Sequence, residues 1–358
     1  MYLIYTIPGI SFALEFMVLG EMGNLLRVAV DAMGGDFAPV EIVKGALSAV
    51  KEEKELEVIL VGFEDAILQS VGRKGMPPRT RIVHAEEVIG NKEDPGLAIR
   101  SKKKASMVVA MQLVRRGEAD AVISAGSTGA LMAGGLLFLG RINGIRRPAL
   151  LTVIPTFKGG RVVVLDVGAN VDAKPEQMLQ YAIMGKIFAQ EIQNKKDPRI
   201  ALLNIGSEEN KGSLQVKNTY KLFKDKLDNF SGNMEAREIF QNGADVLICD
   251  GFVGNIMLKA IEGISRDMFA FLREEIKQDL KARIASTMLF SIFNRVRANF
   301  DETEHGGAQL IGVNGACIKC HGASKEKTIK QALIKQAYPL VQNNIQEKIE
   351  QAVSSITN

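Results

Sequence analysis

Six short loops built from glycine and small polar residues are the parts of this 358-residue chain best suited to chemistry. Most of them directly follow an apolar run, and they comprise residues 31–36, 124–129, 166–170, 204–206, 250–255 and 312–315. Small residues let backbone N–H groups approach an oxyanion, and the start of a following helix adds positive potential. One such loop can simply end a strand or cap a helix. Repeated at equivalent strand ends, the loops predict an anion or carbonyl site lined by backbone amides.

Absent motifs narrow the chemistry. The first apolar run is not followed by G-x-G-x-x-G, and neither G-x-x-x-x-G-K-[ST] nor G-x-S-x-G occurs in the chain. These absences argue against a dinucleotide fingerprint, a P-loop kinase and an α/β-hydrolase. With three histidines in the sequence, a multi-histidine metal centre is not expected. We therefore predict neither a metal nor a cofactor.

Composition excludes further classes of protein. The net charge of +4 is too small and too dispersed for a dedicated nucleic-acid binder. A hydrophobic share of 46% can fill a core, and the 34 glycines follow no three-residue period, which excludes disordered and collagen-like chains. Three cysteines cannot form a disulfide framework, so we predict a cytoplasmic location.

The segment Cys317-Ile-Lys-Cys320-His321 fits the C-x-x-C-H pattern of c-type haem attachment. Haem attachment requires export, and the chain has no convincing signal peptide. A zinc site is a second alternative. The segment lies in an apolar, strand-like stretch, so the favoured interpretation is a strand whose His321 reaches the site.

A basic run at residues 100–104 forms part of a predicted helix over residues 95–116. Arg100 and Lys103 are three residues apart, so they are expected to share a helix face. On that face they could converge on a phosphate or on an acidic carrier protein. A solvated helix face is the alternative.

The elements that must position these residues alternate between apolar runs and helix-period segments. Runs that are apolar on both faces predict a doubly wound α/β fold, with a mostly parallel sheet and helices on both faces. The predicted strands cover residues 27–31, 56–61, 81–85, 120–124, 150–154, 161–166, 200–204 and 245–249. We predict a single domain over residues 25–345 and a tail over residues 346–358. If the domain has two lobes, they must share segments of the chain.

Residues 254–300 interrupt this alternation with a long helical stretch. We predict a helical hairpin insertion over about residues 256–300, with an apolar cluster at residues 288–293. The cluster is either exposed for a membrane surface or partner, or buried in a dimer or core helix pair.

Residues 1–24 are expected to be an N-terminal extension outside the fold. The apolar stretch over residues 1–20 is interrupted by Pro8, Gly9 and Glu15, and falls short of a membrane span. No Lys or Arg precedes Arg27, so a signal peptide is not favoured. We expect Met22 to be closer to the start of the folded chain.

Six segments, in this order and spacing, resemble the bacterial PlsX family of phosphate acyltransferases. They read DAMGGDFAP, SAGSTGALMAGG, DVGANVDAKPEQ, LLNIGSEENKG, CDGFVGNIMLK and GVNGACIKCHG, and the resemblance spans residues 25–333. It implies transfer of an acyl group from acyl carrier protein to inorganic phosphate, which yields acyl phosphate for phospholipid synthesis. It also implies an isopropylmalate-dehydrogenase-like fold, a homodimer, no redox cofactor, and loose association with the inner membrane face beside a membrane acyltransferase.

The resemblance also suggests roles for residues. His321 would orient phosphate or protonate the departing sulfur, with Lys102, Lys103 or Arg100 supplying charge and Asp31 completing the catalytic group. Phosphate would bind at Ser127, Thr128 and nearby amides. Carboxylates repel phosphate, so Asp31, Asp36, Asp166 and Asn170 are expected to shape loops or position other groups. The remaining predicted binding residues are Gly34, Gly35, Gly126, Gly129, Gly168, Asn204, Asp250, Asn255 and Asn314.

Two departures and three alternatives accompany this interpretation. Cys317 and Cys320 stand where the family has small apolar residues, so the haem-like pattern is accidental. Lys104 and Ala105 replace an acid and a hydroxyl that the family more often carries. The alternatives are a phosphotransacetylase-like enzyme that uses acyl-CoA, a non-catalytic scaffold that recruits membrane acyltransferases, and, on fold alone, a dehydrogenase.

Overall fold

A computed structural model of the protein describes residues 25–72, 75–300 and 306–357. The predicted N-terminal extension lies outside these ranges. Eleven strands within them form one sheet, in the order β3-β2-β1-β4-β11-β10-β5-β6-β9-β7-β8. The strands are β1 (Leu26–Asp31), β2 (Leu56–Gly62), β3 (Thr80–His84), β4 (Ala121–Ser124), β5 (Ala149–Pro155), β6 (Arg161–Leu165), β7 (Ile200–Asn204), β8 (Phe230–Glu235), β9 (Val246–Ile248), β10 (Ala308–Ile311) and β11 (Ala316–Lys319).

Helices alternate with these strands and cover both faces of the sheet, which confirms the predicted α/β class. They are α1 (Val40–Glu52), α2 (Glu64–Val71), α3 (Pro95–Ser101), α4 (Ser106–Arg115), α5 (Thr128–Gly134), α6 (Pro175–Gln193), α7 (Leu214–Lys226), α8 (Gly251–Gln278), α9 (Leu280–Met288), α10 (Phe290–Phe300), α11 (Glu326–Gln331), α12 (Tyr338–Gln342) and α13 (Ile345–Thr357). Two π-helical segments, Gly135–Leu139 and Ala332–Ala337, continue α5 and α11.

The sheet is parallel within each half, but the two halves run in opposite directions. Strands β1 to β4 and β11 pair in parallel, and so do β6, β7, β8 and β9. Between the halves, β11, β10, β5 and β6 pair antiparallel to one another in turn. Strand β5 therefore returns directly as β6 through a tight turn, where Gly159 has a φ of 77° that favours glycine.

Because the two halves run in opposite directions, their parallel strands finish at opposite ends of the sheet. We call the end where β1, β4 and β11 finish edge A, and the end where β6, β7 and β9 finish edge B. Loops 31–36 and 124–129 lie at edge A, together with the residues that follow β11. Loops 166–170, 204–206, 250–255 and 312–315 lie at edge B. The prediction that all six loops occupy equivalent strand ends is therefore wrong, because the antiparallel hairpin reverses the second half.

Two apolar layers flank the sheet. On one face, α1, α6 and α13 bury side chains such as Ile42, Tyr181 and Ile349. On the other, α4, α5 and α8 bury side chains such as Met107, Leu131 and Met257. Alternate residues of each strand contribute to opposite layers, as the continuous apolar runs of the sequence require.

Two predicted segments differ from the structure. The helix expected over residues 95–116 is two helices, α3 and α4, because the backbone between them bonds to residues 86–87 instead. The Ser106 amide donates to the Glu87 carbonyl at 3.0 Å, and the Glu86 amide donates to the Lys104 carbonyl at 3.1 Å. The expected tail over residues 346–358 instead contains most of α13, whose Ile349 and Val353 are buried because they face α6 at helical spacing.

The predicted helical insertion is confirmed as three consecutive helices, α8, α9 and α10. Its apolar cluster at residues 288–293 is solvent-exposed, with 83% of Met288 and 64% of Phe290 accessible. The alternative that the cluster is buried in the core of the chain is therefore wrong. Within the described ranges, every helix is too short or too polar to cross a membrane.

Candidate active site at edge A

Asp31 is the buried centre of edge A. Its carboxylate accepts hydrogen bonds from the hydroxyls of Ser106 and Ser124, each at 2.6 Å, and from the Met33 amide at 3.3 Å. Burial raises its pKa above the usual range, although these donors oppose the shift. Asp31 therefore positions Ser106 and Ser124, and so joins strands β1 and β4 to helix α4.

The three loops of edge A pack closely enough to require glycine. A Cβ atom on Gly34 would lie 2.7 Å from the Gly126 amide nitrogen and 2.9 Å from the Ser124 hydroxyl. Gly35 has a φ of 110°, and the Asp36 amide that follows donates to the Gly322 carbonyl at 2.8 Å. Loop 31–36 thereby contacts both of the other loops of this edge.

Helix α5 begins at this edge. The Ser127 hydroxyl accepts from the Ala130 amide at 3.4 Å and so caps the helix, and Thr128 is exposed in the first turn. Gly129 lies against Pro95, the first residue of α3, because an added Cβ would fall 2.7 Å from the proline ring. The first turn of α3 therefore packs against loop 124–129, and the basic run begins in the last turn of the same helix.

His321 follows β11 and is partly exposed at edge A. Its Nδ1 accepts a hydrogen bond from the Ala323 amide at 3.1 Å. Burial lowers the pKa of His321; Lys259 and Lys319 act in the same direction, whereas Glu262 and Asp36 oppose them. The imidazole is thus neutral at pH 7 with its proton on Nε2, where it can donate to a ligand.

Lys319 is a cation that the sequence patterns did not single out. It ends strand β11 opposite Ser124, is 9% exposed, and donates from Nζ to the Cys320 carbonyl. Burial lowers its pKa, and Lys259 adds to that shift, while Asp31 and Asp36 oppose it. The available signal was a charged residue at the carboxyl end of an otherwise apolar strand, two positions before His321.

The basic run is largely occupied by local contacts. Lys102 donates to Glu93 at 2.8 Å and to the Val88 carbonyl at 2.9 Å, and Lys104 pairs with Glu86 at 2.7 Å. Lys103 lies 5.3 Å from the centre of the Phe138 ring. Arg100 is exposed in the last turn of α3, which ends at Ser101, so the predicted shared helix face of Arg100 and Lys103 is wrong.

At edge B, Asp166 shapes its own loop. Its carboxylate accepts from the amides of Leu150, Gly168, Ala169 and Asn170 at 2.7–3.0 Å, and from the Asn170 side chain at 3.0 Å. Burial nevertheless raises its pKa. Its oxygens are thus committed to backbone amides, in agreement with the loop-shaping role expected from the sequence.

The other predicted residues at edge B make similar structural contacts. Asp250 caps α8 by accepting from the Val253 amide at 2.8 Å, and Asn255 lies beside Gly168. Asn314 donates to the carbonyls of Leu139 and Arg141 at 3.3 and 3.1 Å. Asn204 donates to the Lys211 carbonyl at 3.2 Å. All four residues lie at edge B, whereas His321 follows β11 at edge A.

The cysteines of the C-x-x-C-H pattern face opposite layers of the protein. Cys317 packs in the layer of α4 and α8, and Cys320 packs in the layer of α1 and α6. Burial raises the pKa of each thiol to about 12. Two thiols on opposite faces of one strand cannot bind one group together with His321, so this pattern is coincidental.

A cavity of about 400 Å³ lies beside the β5–β6 hairpin. It is bounded by the β5–β6 hairpin, the end of α6 and the segment after α11, including Thr152, Phe188 and Gln336. None of the predicted site residues lines it, so we place the candidate active site at edge A on the chemistry of its residues.

Comparisons with known proteins identify the family to which the chain belongs. A family model described as "Fatty acid synthesis protein" matches residues 26–348. A phosphate acyltransferase of Dictyoglomus turgidum is 46% identical over 93% of this chain and 99% of its own length. Another, from Desulfitobacterium hafniense, is 47% identical over 93% and 99%.

Solved structures show the same fold at low sequence identity. A phosphotransacetylase from Streptococcus pyogenes superposes with a TM-score of 0.59 at 17% identity, covering 91% of this chain and 98% of its own. The EutD phosphotransacetylase of Staphylococcus aureus gives a TM-score of 0.54 at 14% identity, covering 95% and 98%. Given the match over nearly its whole length, this chain belongs to the phosphate acyltransferase family and is an enzyme that transfers an acyl group to phosphate.

Proposed function

We propose that the protein transfers a fatty acyl group from acyl carrier protein to inorganic phosphate, and that the acyl phosphate feeds phospholipid synthesis. The observation that carries the proposal is the grouping of His321, Lys319 and loop 124–129 at edge A. These groups can hold two anions and donate hydrogen bonds to them. The motif order that resembles the PlsX family supports acyl carrier protein as the donor.

The reaction needs no nucleophile from the protein. A phosphate oxygen attacks the thioester carbonyl carbon, and the carbonyl electrons move to oxygen to form a tetrahedral oxyanion. This intermediate collapses, the C–S bond breaks, and the sulfur leaves with the electron pair and takes up the proton that the attacking hydrogen phosphate loses. Catalysis then consists of holding the reactants together and stabilising the oxyanion.

The thiols of the chain agree with this route. Cys249, Cys317 and Cys320 are all buried, and burial raises the pKa of each. A buried, protonated thiol is a poor nucleophile. A covalent acyl-cysteine intermediate is therefore disfavoured, and the attacking atom would belong to phosphate.

His321 can donate a hydrogen bond to the reacting thioester. Its neutral imidazole carries the proton on Nε2 while Nδ1 is held by the Ala323 amide. That arrangement presents an N–H hydrogen-bond donor on the solvent side of edge A, which can stabilise the oxyanion or the departing thiolate without giving up its proton. Loop 124–129, with Ser127 and Thr128, would bind phosphate through amides and hydroxyls.

The direct test is an assay for acyl phosphate. The purified protein is mixed with acyl carrier protein bearing a fatty acyl thioester, with and without inorganic phosphate, and the product is detected by mass spectrometry. We expect acyl phosphate and free carrier protein only when phosphate is present. Phosphate-independent thioester cleavage, or no cleavage at all, would contradict the proposal.

A second donor deserves comparison because the superposing structures are phosphotransacetylases. The same assay with acyl-CoA distinguishes the two. We expect the kcat/KM for acyl carrier protein to exceed that for acyl-CoA and to fall with rising salt, since the carrier protein is acidic. A higher, salt-independent kcat/KM for acyl-CoA would favour the phosphotransacetylase alternative.

We also propose that the protein acts in the cytoplasm as a homodimer, at the inner membrane face, next to a membrane acyltransferase. The exposed residues 288–293 would contact the membrane surface or that partner. Phe290→Ser and Met288→Ser should reduce binding to anionic lipid vesicles and leave acyl phosphate formation in solution intact. Vesicle binding in a protein that lacks phosphate-dependent activity would favour the scaffold alternative.

A further inference from the structure

We propose that Lys319 binds the phosphate substrate; this inference rests on the proposed function and names the cation of its site. The sequence predicts that this charge comes from the basic run at residues 100–104. In the structure, Lys102 and Lys104 are engaged by Glu93 and Glu86. Lys319 is instead a cation built into the sheet itself.

The position of Lys319 is fixed by strand pairing. It lies opposite Ser124 across the parallel pair β11–β4, and one strand further along is Asp31, whose carboxylate binds the Ser124 hydroxyl. Residues at one level of adjacent strands point to the same face of the sheet. Lys319 therefore extends over the same face as Asp31 and Ser124, where loop 124–129 begins.

The burial of Lys319 is unusual for a lysine. A side chain that is 9% exposed is rarely a lysine unless an acid pairs with it. In the described ranges, no carboxylate lies within ion-pair distance of its Nζ, and the hydrogen bond recorded for Nζ goes to the Cys320 carbonyl. An ammonium has three N–H bonds, so Nζ has further donors for an oxyanion.

The surroundings of Nζ favour an anion at this point. Lys259 and Lys319 each lower the pKa of His321, and Lys259 lowers that of Lys319, so positive groups from α8 and β11 act on the same small region. Asp31 and Asp36 oppose this field, but the hydrogen bonds recorded for the Asp31 carboxylate come from two serine hydroxyls and the Met33 amide and not from Nζ. A doubly charged phosphate would complement these groups and accept from Nζ.

The competing explanation is structural: Lys319 would only offset the charge of Asp31. The two explanations differ in what phosphate does. A phosphate-binding lysine changes the KM for phosphate and the stabilisation of the protein by phosphate. A lysine that only balances Asp31 changes stability without changing either quantity.

The test compares Lys319→Met with Lys348→Met, a control that removes a lysine of an ion pair with Glu191 on α13. For Lys319→Met we expect the KM for phosphate to rise about 10- to 100-fold, as for loss of a charged hydrogen bond. The increase in Tm that phosphate produces in the wild type should disappear. Lys348→Met should retain both wild-type values.

Two further variants keep the test decisive. Lys319→Arg retains the charge and should retain part of the phosphate-induced increase in Tm. If Lys319→Met does not fold, Lys319→Gln takes its place, since its amide can still donate to the Cys320 carbonyl. An unchanged KM and Tm response in the uncharged variant would overturn the inference, as would rescue of the Tm of Lys319→Met by Asp31→Asn with no effect on phosphate binding.

The Tm measurement also separates this inference from the proposed function. A wild type that forms no acyl phosphate, yet is stabilised by phosphate through Lys319, would contradict the proposed reaction and leave the binding site intact. A wild type that forms acyl phosphate while Lys319→Met keeps its KM for phosphate would contradict the binding site alone.

Discussion

Edges A and B carry similar sequences and use them differently. Both have an aspartate at a strand end followed by glycine, and both aspartates are buried. At edge B, Asp166 is consumed by four backbone amides and the Asn170 side chain. At edge A, Asp31 binds two serine hydroxyls, and the neighbouring Lys319 and His321 retain donors. A glycine-rich loop thus indicates close packing at both edges. It indicates a ligand site only at edge A, where Lys319 and His321 keep N–H groups that can donate to a ligand.

The largest effect should come from the packing of edge B. A Cβ atom on Gly254 would clash with the Asp166 carbonyl and lie 2.8 Å from the Cys249 sulfur. We expect Gly254→Ala to lower the free energy of unfolding by more than about 4 kcal/mol, or to prevent folding. Chemical denaturation measures this loss.

The same helix provides a matched control. Gly263 lies further along α8, and an added Cβ there would meet nothing within 4 Å. Gly263→Ala should raise stability by up to about 1 kcal/mol, because alanine favours the helix. Similar destabilisation by both variants would show that α8 is sensitive to any substitution, and would remove the contrast.

Loss of the Asp166 carboxylate should have the next largest effect. Asp166→Ala would leave several buried amides without an acceptor, and we expect a loss of about 3 kcal/mol in unfolding free energy. Asp172→Ala, in the exposed part of the same segment, should change it by less than about 0.5 kcal/mol. If Asp166→Ala were as stable as the wild type but failed to bind phosphate, edge B would contain the active site.

At edge A, His321→Gln should reduce turnover more than stability. We expect kcat to fall about 100-fold, in the range of a lost hydrogen bond to the oxyanion. Unchanged turnover would exclude His321 from the mechanism.

The pH dependence of stability gives His321 a second test. Its pKa is lowered in the folded state, so the unfolded state binds more protons as pH falls below about 6.5. The contribution of the neutral imidazole to stability is therefore present above that pH and is lost as pH falls towards the folded-state pKa. In denaturation curves across this range, His321→Gln should lose this component.

The smallest effect should come from the surface of the basic run. Lys104 is exposed and pairs with Glu86. Its charge is therefore expected to affect the binding of acyl carrier protein more than the binding of phosphate. Lys104→Ala should raise the KM for acyl carrier protein about threefold at low salt and leave the KM for phosphate unchanged. The difference should vanish at high salt, where exposed charges are screened. A salt-independent effect would place Lys104 inside the site.

Positions along the chain were predictable because local patterns determine them. The apolar run at residues 200–204 corresponds to β7, and residues 27–31 lie within β1. The relative direction of the strands was harder to predict from the sequence, because it depends on the antiparallel pairing of β5 and β6 across their short turn. The break between α3 and α4 depends on hydrogen bonds to residues 86–87, which are distant in sequence. The position of Lys319 beside Ser124 and Asp31 could not be predicted, because it depends on which strands are neighbours in the sheet.

Helix α8 is one continuous element that begins at edge B and extends well beyond the sheet. Its 28 residues form a rod of about 42 Å. At its N-terminus, Gly251 and Gly254 pack against loop 166–170. Two turns later, Lys259 is close enough to lower the pKa of His321. Its far end leads into the exposed cluster at residues 288–293. Because α8 is one continuous helix, a displacement of its far end would be transmitted to Lys259 and to loop 166–170.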